Sequence, residues 1–302
     1  MNASSTTSHA SGAAAIDHEA LAATALAAAG RGGDELLFLA GSTTDGLANR
    51  NSDLDLYVVG DFRVTGSETA ARQGERTATV AYHEGREVNV AVLEPAGLDR
   101  LRDAFRAAVA SLSQERGIAQ LVDEDNLKIL HRLRTGVALR RADRLQELRE
   151  HLGTDDLPRY LLNVAAVAAV NRLTDVAGEL ADGHADSAAW MHREALVHTG
   201  QCALAAVGVT VPSVKWLVRL LQREVAGGPG AEDAGRTEGA HRLGGHPAHT
   251  RCADHTARHL LAPPADTAAA VAETRTVLAA VLDAAGDRAG AYVRLVARPK
   301  LG

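Results

Sequence analysis

Aromatic residues are scarce in this chain, at 3% of its 302 positions, so its core must rest on Ala, Leu and Val. That bias favours helix, because Ala and Leu are strong helix formers. Cysteine is nearly absent: Cys202 and Cys252 stand alone, and neither belongs to a C-x-x-C pair. This excludes a disulfide framework and a zinc ribbon. A basic surplus is also missing, since the net charge is −6. A dedicated nucleic-acid binder would carry the opposite balance, so nucleic acid is not expected as a partner. No run approaches the twenty apolar residues that a bilayer demands; VAAVAAV, Val164–Val170, is far too short. The opening MNASSTTSHASGAAA has neither a positive start nor a long apolar core, and does not read as a signal peptide. A cytoplasmic protein without membrane contact is expected. Lysine occurs at Lys128, Lys215 and Lys300, while Ala, Arg and Gly abound, a compositional hint of a GC-rich bacterial genome.

What is present divides into two halves. Residues 1–13 are Ser/Thr/Ala-rich without periodicity and are expected to be disordered. Asp17 can cap a helix running to about Ala29. ELLFLAG then reads as an apolar strand stopping at Gly41, and Leu54–Val59 as a second strand. Thr77–Pro95 reads as a hairpin turning at Glu84-Gly85. Beyond Pro95 strand signals fade. Helices are expected over about 99–116, 123–150, 157–182, 187–207, 213–226 and 265–287. The expected organisation is α+β: an N-terminal mixed-sheet domain over 14–98, then an α-helical bundle over 99–290 and a tail over 291–302. Gly227–Thr250, rich in Gly and mixed charge, reads as a long mobile loop.

The chemistry gathers in LAGSTTDGLANRNSDLDLYVVG, Leu39–Gly60. Asp53 and Asp55 are separated by one residue, so on a strand they face the same side. Two ionised carboxylates at a strand end cost several kcal/mol each unless something positive compensates them. Together they make a hard-oxygen site suited to Mg²⁺. Gly41-Ser42 is placed where a strand turns into a helix. There glycine lets a phosphate approach the backbone, and the helix N-terminus and the Ser42 hydroxyl offer donors. Adjacent metal and phosphate sites suit a nucleoside triphosphate.

Gly41-Ser42, Gly46 and Ser52-Asp53-Leu54-Asp55 resemble the motif of the nucleotidyltransferase superfamily of the DNA polymerase β type. The resemblance covers about residues 35 to 95. The helical half is less specifically similar to small bacterial members, including antibiotic nucleotidyltransferases. The resemblance implies that Asp53 and Asp55 hold Mg²⁺ bridging the triphosphate, ATP being the simplest substrate. It implies that Gly41, Ser42 and Ser52 lie at the phosphates, and that a nucleophile attacks the α-phosphorus with release of pyrophosphate. In REVNVAVLEP the family's third acid is replaced by Asn89, which cannot act as a general base. Glu87, two residues earlier on the same face, is the candidate substitute, with a solvated hairpin residue as its preferred reading.

Lys215 stands beside Trp216 after a helix start at Val211-Pro212-Ser213, with Ser213 as N-cap. A first-turn cation opposes the helix dipole, and its functional reading is a phosphate clamp from the second half. Lys128, His131 and Arg132 share a helix face at i, i+3, i+4; a solvated basic face is preferred over a cleft wall. The late histidines, His255 and His259 among them, lack an H-E-x-x-H or Cys-pair spacing and read as solvated loop residues. Glu179, Asp182 and Glu194 are open candidates for a base. The expected function is Mg²⁺-dependent transfer of an NMP to a small-molecule hydroxyl acceptor. The alternative is a degenerate member that binds nucleotide or a partner protein without turnover. Homo-oligomer formation stays open.

Overall fold

The computed structural model describes residues 17–31, 34–61, 71–73, 76–115, 121–211, 213–226 and 246–302. The expected disorder over 1–13 and most of the expected loop 227–250 lie outside these residues. The chain is α+β, with a mixed sheet and a mostly helical remainder. Helix α1, His18–Ala28, begins where foreseen: Asp17 Oδ1 accepts from the backbone N–H groups of Glu19 and Ala20 at 3.0 and 3.1 Å. Strands follow as β1 Leu36–Ala40, β2 Leu54–Val59, β3 Ala71–Gln73, β4 Arg76–His83 and β5 Arg86–Leu93. The β4–β5 hairpin turns at Glu84-Gly85, both with positive φ (50° and 76°).

Helices α2 Pro95–Ser111 and α3 Glu124–Thr135 precede a sixth strand, β6 Val137–Arg140, and α4 Ala142–Leu152. The sequence pattern predicts one helix over 123–150, and the strand corrects it. Gly136 is the cause. A Cβ there would lie 2.6 Å from Phe38 and 2.7 Å from the Arg132 carbonyl, so only glycine lets the chain leave α3 and enter the sheet against β1. Arg141, at φ 57°, then turns the chain into α4. The sheet order is β3-β4-β5-β2-β1-β6. All neighbouring pairs are antiparallel except β2 with β5, which is parallel with Asp55 opposite Asn89.

Strand alternation sorts the side chains into two faces. Leu37, Leu39, Leu54, Leu56, Val58, Val88, Val90 and Val92 pack with α1. Leu36, Phe38, Ala40, Tyr57, Ala91 and Leu93 share a core with residues of α2, α3 and α4 and with Leu157 and Tyr160. Asp53, Asp55, Glu87 and Asn89 belong to this second row, beyond the end of its apolar stretch.

The remaining helices are α5 Leu157–Ala181, α6 Ala185–Ala206, α7 Leu217–Ala226, α8 Pro247–Leu261 and α9 Thr267–Ala285. Helices α5, α6 and α9 supply most of an Ala-rich core that includes Ala165, Ala166, Ala169, Ala188, Ala195 and Ala203. Helix α8 is absent from the sequence reading, because its polar face and five-histidine neighbourhood mimic a loop. It starts at Pro247, which places residues 247–250 in helix, with His246 Nδ1 accepting from the Ala248 N–H at 3.2 Å. The segment set apart as a tail packs inward as well, burying Val293, Ala297 and Leu301.

Candidate functional site

The loop from β1 to β2 carries the site. Gly41 has φ +90°, and a Cβ built on it would lie 2.2 Å from Oδ2 of Asp55. No side chain fits between this turn and that carboxylate. The expected helix after Gly41-Ser42 does not form. Asp45 N–H donates to the Gly41 carbonyl at 2.9 Å and Leu47 N–H to that of Ser42 at 2.8 Å, which closes a single turn. Gly46, at φ 67°, then ends it, and the Asn49 side chain captures the N–H of Asn51 at 2.9 Å. The donors of a full helix N-terminus are therefore missing from this turn.

Two helices hold the loop from outside. Arg223 Nη1 donates to the Asp45 carbonyl at 2.6 Å and Arg219 Nη1 to that of Leu47 at 2.8 Å, both from α7. Helix α3 reaches the loop through adjacent side chains. His131 Nε2 lies 3.3 Å from Asp45 Oδ2 while its Nδ1 meets the Thr210 hydroxyl at 2.7 Å. Arg132 spans two acids, with Nη1 at 3.5 Å from Asp45 Oδ2 and Nη2 at 3.6 Å from Asp55 Oδ2. Lys128, the third member of that face, points away and pairs with Glu124 and Asp125. The solvated reading thus fits Lys128 and fails for His131 and Arg132.

Arg132 is a large part of what compensates the acid pair. Asn89 supplies more: its Nδ2 donates to Asp53 Oδ2 at 2.5 Å. Burial still dominates at Asp55. Together with the neighbouring Asp53 charge, it raises the carboxyl above the usual range against the pull of Arg132. At Asp45 burial pushes the same way, but the His131 hydrogen bond and the His131 and Arg132 charges outweigh it and hold the carboxyl low.

Beside Asp53 opens a cavity of about 510 Å³ lined by Asn49, Arg50, Asn51, Ser52, Asp53, Gly85, Arg86, Glu87 and Lys215. Of the residues singled out in the sequence, it gathers Ser52, Asp53, Glu87 and Lys215. Gly41, Asp55 and Asn89 adjoin it through the contacts above. Ser42 sits on the turn, and Glu179, Asp182 and Glu194 are not among the lining residues. Ser52 Oγ accepts from the Asn49 N–H at 2.9 Å and shapes the loop. Lys215 lies in a 3-10 turn, Val214–Trp216, that leads into α7; Ser213 makes no side-chain cap. Its ammonium stands 5.0 Å from the Trp216 ring centre. Sequence reasoning missed Arg50 and Arg86. Arg86 directly follows the turn that the sequence marks at Glu84-Gly85 and donates to the Ser52 carbonyl at 3.2 Å.

No family model and no curated protein matches this chain. Among solved structures, the chain is similar to a nucleotidyltransferase-like protein from Exiguobacterium sibiricum 255-15, at 13% identity and a TM-score of 0.45. The superposition covers 90% of this chain and 77% of that one. No helix among the described residues is long and apolar enough to cross a membrane.

Proposed function

We propose that the cavity binds a nucleoside triphosphate with one Mg²⁺, and that the protein transfers the NMP, AMP from ATP in the simplest case, to a hydroxyl of a small molecule or natural-product intermediate. The observation that carries this reading is the juxtaposition of Asp53 and Asp55 with a polar cavity bearing three cations, Arg50, Arg86 and Lys215. A triphosphate matches that charge pattern, and 510 Å³ is within the range of small-ligand sites. In this reading 14–98 forms the nucleotidyltransferase domain, and the helical half contributes Lys215 and the acceptor contacts.

The donor set fits a hard divalent ion. Asp53 and Asp55 offer charged oxygens, and a rotated Asn89 amide would offer a neutral one. Mg²⁺ held there would neutralise the triphosphate and polarise the reacting phosphorus. The remaining work falls to the chain. Lys215, Arg50 and Arg86 orient the β and γ phosphates. Gly41 lets the polyphosphate approach, and the hydroxyls of Ser42 and Ser52 border it. Glu87, exposed at the cavity wall, takes the proton of the attacking hydroxyl, a task Asn89 cannot perform. Positioning and charge neutralisation supply the rate.

A second reading has a specific observation behind it. An Asn89 amide hydrogen bond at Asp53 and the Arg132 cation at Asp55 already satisfy the two acids, as in a protein that binds nucleotide or a partner without turnover. Prolonged incubation with each ribonucleoside triphosphate and Mg²⁺ separates the two. Water can stand in for the acceptor, converting NTP and H₂O to NMP and pyrophosphate. Slow pyrophosphate release abolished by Asp53→Ala supports transfer. Triphosphate binding without any release favours the second reading.

A further inference from the structure

The cluster of His255, His259 and Glu273 lies apart from the acid pair and has no part in the chemistry above. His255 and His259 are one turn apart on α8, and Glu273 faces them from α9. One donor atom from each residue can be chosen so that all three lie within 4.8 Å of one another. The two imidazoles meet edge to face at 4.6 Å between ring centres. His255 is fully buried, His259 is mostly covered and Glu273 is half exposed.

The decisive detail is behind the cluster. Thr274 carries one hydroxyl hydrogen, and Thr274 Oγ1 donates it to the Ala270 carbonyl at 2.8 Å. The same oxygen lies 2.9 Å from His192 Nε2 and 2.8 Å from His255 Nε2. With its hydrogen committed, it can only accept, so both rings must carry their proton on Nε2. In the neutral ring that leaves His255 Nδ1 as a bare lone pair. This atom is buried and has no hydrogen-bond partner. It faces Glu273 Oε1 at 3.3 Å, a lone pair turned toward a carboxylate. Glu273 Oε2 lies 4.0 Å from His259 Nε2. With the ring neutral, such an arrangement is repulsive, and a proton on Nδ1 or a metal cation between the donors relieves it.

We propose that His255 Nδ1, His259 Nε2 and the Glu273 carboxylate bind one divalent transition-metal ion of the Zn²⁺ class on the seam between α8 and α9. Two imidazoles and a carboxylate are the donors that such ions select over Mg²⁺. Thr274 and His192 form the supporting shell that fixes the tautomer and the ring orientation of the buried ligand. The half-exposed side leaves a coordination position to water. The ion bolts α8 to α9. The opposite side of α8 packs Ala253, Ala257 and Leu260 against α7 and Leu47, so the bolt also braces the helix that clasps the β1–β2 loop.

The test uses the full chain, stripped with a chelator and then titrated with Zn²⁺ against a chromophoric competitor. Co²⁺ serves as the spectroscopic probe and Mg²⁺ as the control. The expected result is one Zn²⁺ per chain, a Co²⁺ spectrum of nitrogen and oxygen ligation, and no competition by Mg²⁺. Glu273→Gln and His259→Ala alter partly exposed side chains, and either should weaken Zn²⁺ by tenfold or more. Added Zn²⁺ should raise the melting temperature of the parent but of neither variant. Helical circular dichroism checks folding, and Glu273→Gln decides alone if the alanine variant is unfolded. Equal Zn²⁺ binding by parent and Glu273→Gln overturns the proposal. So does a nitrogen NMR spectrum of the metal-free protein with His255 Nδ1 protonated and unmoved by Zn²⁺, since that would make the pair a simple ion pair with Glu273.

Discussion

Replacing Arg132 by Met tests what holds the acid pair in place. The guanidinium lies 3.5 Å from Asp45 and 3.6 Å from Asp55, and all three side chains are at most a quarter exposed. At an effective dielectric near 20, each contact corresponds to about 4–5 kcal/mol of gross attraction. Desolvation of the guanidinium and of both carboxylates offsets much of that. Removing the cation leaves Asp45 with His131 and leaves Asp55 with the Arg76 charge and an Asn89 hydrogen bond. A net loss of about 2–3 kcal/mol follows, toward the lower end for buried pairs because the site is partly solvated. For a chain of this size that lowers the melting temperature by about 3–5 °C. Methionine keeps the bulk of the stem, so the loss reports charge more than packing. The assay is urea unfolding at pH 7 followed by circular dichroism, on the parent, Arg132→Met, Asp55→Asn and the double variant. In the Asp55→Asn background the same change should cost about 1–2 kcal/mol less. An Arg132→Met protein within about 0.5 kcal/mol of the parent, or strictly additive effects, would refute the role given to this guanidinium.

Three further outcomes are expected. Gly41→Ala should be destabilised by about 1–2 kcal/mol from its positive φ alone, and its methyl must displace the Asp55 carboxylate; unchanged triphosphate affinity would separate this turn from the site. Asp55 and Asp45 should show opposite pH behaviour. The raised Asp55 group penalises the folded state while ionised, so Asp55→Asn should be more stable than the parent at pH 7, with the gain fading as pH falls through the raised value to about its ordinary 3.8. The lowered Asp45 group stabilises the folded state above 3.8 and loses that as pH falls through its folded value, so Asp45→Asn should be less stable at pH 7, the deficit closing only in stronger acid. Two pH-stability curves of the same sign would contradict this. Lys215→Ala, at an exposed position, should leave the melting temperature unchanged and weaken triphosphate binding about tenfold, or 1.4 kcal/mol; equal affinity would remove Lys215 from the cavity.

The elements legible in the sequence are those whose signals are local. Asp17 announces a helix start by its own side chain. The D-x-D spacing sets a common face by strand periodicity, and Glu84-Gly85 marks a turn by its conformational demand. What escaped depends on distant partners. Val137–Arg140 is a strand because Gly136 lets the chain pass Phe38, a contact about a hundred residues away in sequence. Arg132 looks like one of three solvated cations until the fold sets it between two loop acids. His255 carries no local mark of burial, and its role rests on Thr274 from another helix. At the site, Asp53, Asp55, Glu87 and Lys215 were readable because acid spacing and scarce lysine draw attention. Arg50 and Arg86 were not, because arginine is abundant throughout this chain.

The most direct measurement is calorimetric titration of each ribonucleoside triphosphate, with and without Mg²⁺, into the parent and the Asp53→Ala/Asp55→Ala protein. It needs no knowledge of the acceptor. The expected result is saturable binding of at least one triphosphate by the parent that requires Mg²⁺ and disappears in the double variant. Absence of binding, or binding equal in both proteins and indifferent to Mg²⁺, would contradict a metal–triphosphate site at Asp53 and Asp55.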